Sequence, residues 1–188
     1  QRGGGRSELP ADTTGLDARL FVEDLETVRR HFHLRQMRIV AHSFGGILVA
    51  RYLQTHPDRV ERLVFAGATG PRHSDAAALI MSKYAQLDST HMSQLGEILG
   101  SLMSSTAADP VALCRDYEMF VDEMAWANGE PNHWQGENCS APPEAVSYYY
   151  HYTARIAPSS FGDWDFTETL ASLTTPLLVI HGDIDSLA

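Results

Sequence analysis

The chain has 188 residues, 44% of them hydrophobic, which suits one domain, or one domain with an insertion, and argues against wholesale disorder. Its 24 acids against 14 Lys and Arg give a net charge of −10 without any basic block, so nucleic acid and anionic membrane are not the expected partners. No apolar run approaches the roughly 20 residues of a helical span, Cys114 and Cys139 are too few for a disulfide framework and too scattered for a clustered zinc site, and no repeating period points to a fibrous or solenoid protein.

The chain opens on a glycine-rich turn, Gln1-Arg2-Gly3-Gly4-Gly5-Arg6-Ser7, with no charged-then-apolar leader. Both ends read as cuts from something longer. A helix is expected from near Asp17 to near His33. Its apolar residues Leu16, Leu20, Leu25, Val28 and Phe32 mostly follow the three-to-four spacing of one buried stripe, with acids early and Arg29, Arg30, His31 and His33 late. Residues 37–41 then read as a strand, 44–55 as a largely buried helix closed by Pro57, and 62–66 as a second strand. Two short apolar strands joined by a helix make a βαβ unit, with a parallel sheet covered on both faces.

From residue 71 to 165 the character changes to helices over 76–87, 91–102 and 110–127. A loop with Asn128-Gly129, Pro131 and Pro142-Pro143 follows, then a Tyr148-Tyr149-Tyr150 cluster; no strand is read there. A short helix over 166–173 and a strand over 176–180 resume the core. The expected organisation is a core in two parts, 1–70 and 166–188, with a helical cap inserted as 71–165.

The strongest chemical signal is Ala41-His42-Ser43-Phe44-Gly45-Gly46, between a strand and a helix. A serine on that tight turn has its hydroxyl pushed out at the carboxyl end of the sheet. The N–H of Phe44 is placed to meet an oxyanion. The bland alternative is a serine that merely caps a helix. Ala41 replaces the first glycine of the usual G-x-S-x-G pattern, a mild departure. The second signal is His181-Gly182-Asp183-Ile184-Asp185 after the third strand, where a carboxylate can orient a histidine that activates the serine. Asp185, on a G-x-x-D pattern, is preferred to Asp183; a turn acid beside glycine is the alternative.

Together these segments resemble the α/β-hydrolase superfamily, in its proline iminopeptidase-like branch. The opening turn is similar to that branch's Q-R-G-x-G-x-S, residues 41–46 to its G-H-S-x-G-G elbow, His56-Pro57-Asp58-Arg59-Val60 to its H-P-x-R-V, and residues 176–185 to its acid-bearing strand. The resemblance covers about half the chain. It implies an α/β class protein, a partial α/β-hydrolase fold whose mainly parallel sheet is flanked by helices with an inserted helical cap. It also implies a serine hydrolase, aminopeptidase-like and preferring N-terminal proline, that uses Ser43 and Asp185 with the oxyanion donor Phe44. An esterase, lactonase or amidase, or a non-catalytic binding relative, are the other readings.

The same resemblance places a second oxyanion loop before Gln1 and the catalytic histidine after Ala188, so the 188-residue piece alone is expected to be inactive. None of its nine histidines is assigned that role; His42 is expected to point into the fold, and His31 and His33 to act as helix-end cations. Family exopeptidases hold the substrate amine with cap acids. The candidates here are Asp116, Glu118, Asp122, Glu123, Glu130, Glu137, Glu144 and Asp163, with Trp126, Trp134, Tyr148 and Tyr149 as pocket walls, against the alternative of a solvated acidic surface. A small-molecule or peptide substrate, no cofactor, no metal and a cytoplasmic location are expected.

Overall fold

The computed structural model describes residues 2, 7–10, 16–85, 87–104, 107–125 and 137–182. The chain divides into two compact units. One comprises Gln1–Leu16 and Tyr84–Ser160, the other Asp17–Lys83 and Phe161–Ala188. Residues 71–83 and 161–165, read from sequence as part of the cap, therefore group with the sheet. The reason is a lacing of the two crossings: His73 N–H donates to Trp164 O (2.9 Å), Phe166 N–H to Pro71 O (2.9 Å), and Arg72 and Asp165 form an antiparallel bridge.

In the sheet unit, α1 (Ala18–His31) starts where the Asp17 carboxylate accepts from Leu20 N–H at 3.2 Å. Its buried side is Ala18, Phe21, Val22, Glu26 and Arg29; of the apolar stripe read from the sequence Leu16 is buried and Leu25 packs against the core, but Val28 and Phe32 are 49% and 64% exposed. The displaced face is explained by a buried polar network. Arg29 grips both oxygens of Glu26 (2.7 and 2.8 Å), and the hydroxyl of Tyr52, itself fully buried, donates to Glu26 at 2.8 Å. This network joins α1 to α2 (Gly45–Thr55).

Three parallel strands follow the order β1 (Met37–Ser43), β2 (Val60–Ala68), β3 (Leu177–Ile180). A turn at Pro57–Arg59 separates α2 from β2. Register assigns the faces. Ile39, Leu63 and Leu177 are in line, as are Ala41, Phe65 and Val179, and from this face Ala41, Leu63 and Phe65 pack with Val22 of α1 and Val49, Tyr52 and Leu53 of α2. The other face carries Val40, Val64 and Leu178 in line. Val40 and Leu178 are 72% and 55% exposed there, and Val179 is 62% exposed on the first face, so among the described residues the sheet is well covered only where α1 and α2 lie on β1 and β2, not over both faces as the apolar strands suggest. The helix α3 (His73–Tyr84) and the short α8 (Thr167–Ala171) complete this unit.

The second unit is helical: α4 (Ser89–Leu102), α5 (Pro110–Ala125), a turn at Glu137–Ser140, α6 (Pro143–Tyr148), a π-type turn at Tyr149–Thr153 and α7 (Ala154–Ser160). Pro142-Pro143, read from sequence as loop, instead starts a helix, with Pro143 at a first-turn position where no N–H is required. The core of this unit is Leu102, Cys114, Cys139, Val146 and Tyr150, and Cys114 and Cys139 form a disulfide. Two cysteines do not make a framework, but folding pairs these two. Among the described residues, no helix is long and apolar enough to cross a membrane.

Candidate active site

Ser43 is the last residue of β1 and has φ +49°, a left-handed backbone that a side chain rarely adopts. The strand breaks register beside it: His42 pairs with Ala66 but Ser43 with Ala68, and the skipped Gly67 also has positive φ, +51°. Thr69 N–H donates to Ser43 O at 3.1 Å, which fixes the bend from the neighbouring strand. Ser43 is exposed. A left-handed serine held this way costs about 1–3 kcal/mol, which the surrounding structure must over-determine.

Directly after it the chain turns helical at Phe44 (φ −56°, ψ −23°). Ile47 N–H is the amide that bonds back to Phe44 O, at 3.1 Å, so those of Phe44, Gly45 and Gly46 precede the helical ladder. The ring of Phe44 packs edge-on against Phe161, centroids 5.5 Å apart, and anchors the turn. Ala41 in place of glycine is accommodated: a β-carbon on Gly45 would lie 3.9 Å from that of Ala41, an ordinary contact. His42, expected to point inward, is exposed on the open face of the sheet, as the alternation of β1 requires.

β3 ends on the same carboxyl edge. Its last residue, Ile180, pairs with Ala66, two residues before the partner of Ser43. His181 follows and, with Gly46, Ala68, Thr69, Phe166 and Leu170, lines a cavity of about 230 Å³ beside the bend.

The α/β-hydrolase fold family matches the chain over residues 1–188. The chain belongs to this family. It is 26% identical over 190 residues to a non-heme chloroperoxidase of Streptomyces lividans, a match covering 100% of this chain and 63% of that protein. To a proline iminopeptidase of Heyndrickxia coagulans it is 38% identical over 66 residues, 35% of this chain and 23% of the relative. The solved proline iminopeptidase of Mycobacterium smegmatis shares the fold with a TM-score of 0.58 at 18% identity, over 95% of this chain and 59% of that one. The chain thus spans under two thirds of the length of these relatives.

Within this α/β-hydrolase family member, several predicted site residues lie outside the described residues: Asp185 and Asp183, Glu130, Trp126, Trp134, and most of the opening turn. The side chains of Asp122, Glu123 and Glu137 do so too. Of the remaining acids, Asp116 and Glu144 are exposed, and Asp163, whose side chain is 93% exposed, belongs to the sheet unit and lies 3.4 Å from His73. Tyr148 is buried and Tyr149 exposed. Three of the described histidines have partners of their own: His151 Nδ1 sits 2.6 Å from Met103 O, His91 2.9 Å from Asp88, and His56 stacks on Tyr52. Among the described residues none is hydrogen-bonded to Ser43.

What sequence reasoning missed is the role of Gly67. The signal available was its place directly after a continuous apolar run, where a strand glycine marks a bulge.

Proposed function

We propose that this chain carries the nucleophile of a serine hydrolase. Ser43 Oγ attacks the substrate carbonyl and forms an acyl-enzyme. The Phe44 amide donates to the developing oxyanion. Asp185 orients a histidine, which the family places after Ala188; that ring takes the serine proton and passes it to the leaving group. Water then attacks the acyl-enzyme, with the same ring as base, and restores the hydroxyl. The observation that carries this reading is the left-handed φ of Ser43 at a strand-to-helix junction. An ordinary capping serine has extended backbone and bonds its own helix amides, whereas α2 is entered through Phe44 in helical conformation with no side-chain cap.

For the substrate we propose an N-terminal residue of a peptide, proline preferred, supported by the Q-R-G-x-G-x-S resemblance and the similarity to proline iminopeptidases. An esterase, lactonase or amidase acting on a small molecule is the second reading. What keeps it beside the first is that a non-heme chloroperoxidase and a proline iminopeptidase of Lactobacillus helveticus match this chain over nearly the same extent, 100% and 98%, at nearly the same identity, 26% and 25%. A fluorophosphonate probe on the full-length protein tests the nucleophile: labelling that disappears in Ser43→Ala supports it, and a silent serine leaves a non-catalytic binding protein. Turnover of a proline arylamide against that of a small acyl ester then separates the two substrate classes.

A further inference from the structure

We propose that the helical unit, with its disulfide reduced, binds one thiophilic divalent cation, zinc(II) being the reference ion, through Cys114, Cys139 and Glu118. Cys114 and Glu118 are four residues apart on α5 and so share a face. Cys139 arrives at the same spot from the turn Glu137–Ser140. The two sulfurs and the carboxylate all lie within 4.8 Å of one another. Tetrahedral zinc, with bonds of about 2.3 Å to sulfur and 2.0–2.2 Å to oxygen, requires ligand atoms roughly 3.3–3.8 Å apart. Rotation of the cysteine side chains supplies that spacing with the Cα atoms left at their 5.6 Å separation.

Once reduced, the set has the chemistry of a cation site. Two thiolates and a carboxylate bring three negative charges to a doubly charged ion. The fourth position stays open to water or an added ligand. The Tyr150 hydroxyl, 3.5 Å from the Cys114 sulfur, is placed to donate to the bound thiolate. Both sulfurs are buried, Cys114 completely and Cys139 to 4% exposure, so the ion would be shielded from bulk solvent.

The oxidised form excludes the ion, since neither sulfur is then a thiolate. Reduction takes two electrons and two protons from a thiol or dithiol, which leaves as its own disulfide while the Cys114–Cys139 bond opens to two thiols. Metal binding then releases both thiol protons to solvent. In a reducing compartment the dithiol is the resident form. The site is built within one unit and does not depend on what Ser43 does.

The test is titration of the full-length protein with cobalt(II) under phosphine reductant without oxygen, followed by zinc(II) competition. One equivalent with a thiolate-to-cobalt charge-transfer band is expected, absent from the oxidised protein and from Cys114→Ser and Cys139→Ser. Glu118→Gln should bind at least tenfold more weakly. Thiol alkylation of the reduced wild type, slowed by zinc, gives the same answer without any variant. The proposal is overturned if reduced wild type shows no band, if the band survives Cys139→Ser, if Glu118→Gln binds as tightly, or if reduction unfolds the protein and zinc does not restore it.

Discussion

Gly46 and Ala68 meet where the first turn of α2 lies on the end of β2: a β-carbon on Gly46 would sit 2.8 Å from that of Ala68, too close for any side chain. This contact sets how far the helix sinks onto the sheet, and with it the direction of the Phe44 amide. Gly46→Ala in the full-length protein should lose about 1–3 kcal/mol through overpacking. Gly45→Ala, with its nearest atom at 3.9 Å, should be neutral or gain up to about 1 kcal/mol. Denaturant unfolding of the two variants checks the contrast, and equal midpoints would contradict it.

The bend at Ser43 makes a second, less usual forecast. Glycine normally destabilises relative to alanine, but at φ +49° alanine carries a strain that glycine escapes, worth about 1–2 kcal/mol. Ser43→Gly should therefore be at least as stable as Ser43→Ala. Both should lose turnover by a factor on the order of 10⁶ if the serine is the nucleophile. Thermal unfolding alongside a rate assay reads both halves.

Acid should loosen the junction of α1 and α2. The Arg29 guanidinium, helped by the Tyr52 hydroxyl, holds the Glu26 carboxyl well below its ordinary value of 4.5. Its contribution to stability is thus fully present above that value and is lost as pH falls further. Glu26→Gln should flatten the acid limb of the stability profile. Tyr52→Phe, which removes a hydrogen bond to a charge, should cost about 1.5–3 kcal/mol near neutrality. Unfolding free energies between pH 7 and pH 3 measure both.

The disulfide closes a loop across a sequence separation of 25, so chain entropy alone assigns it roughly 3.5 kcal/mol. Reductant should lower the melting temperature of the wild type and leave that of a Cys114→Ala, Cys139→Ala double variant unchanged. An identical response in both would place the bond outside the folded state.

How much of this was legible beforehand depends on how local the cause is. β1, α2 and β2 were placed within two residues or so, because Pro57, the apolar runs and the Ser-Phe-Gly-Gly turn are local signals. The elbow motif was likewise readable, but its left-handed serine and the bulge at Gly67 are products of strand pairing. The buried face of α1 was misjudged because Glu26 and Arg29 look like surface residues until Tyr52, 26 positions away, satisfies them. The Tyr148–Tyr150 cluster gave no hint of its helix, since aromatic runs mark no period. Cys114 and Cys139 meet through helix packing that no spacing rule anticipates.

The middle position of β2 has a consequence for any group that must cooperate with Ser43 from the tip of β3. Neighbouring strands lie about 4.8 Å apart, so the two tips are separated by roughly 10 Å of sheet. No carboxylate rooted there touches a serine oxygen directly without leaving its strand far behind. One planar ring, hydrogen-bonded at either end over about 2.8 Å, bridges such a gap. Backbone spacing alone, before any side chain is chosen, asks for an intermediary between the two tips.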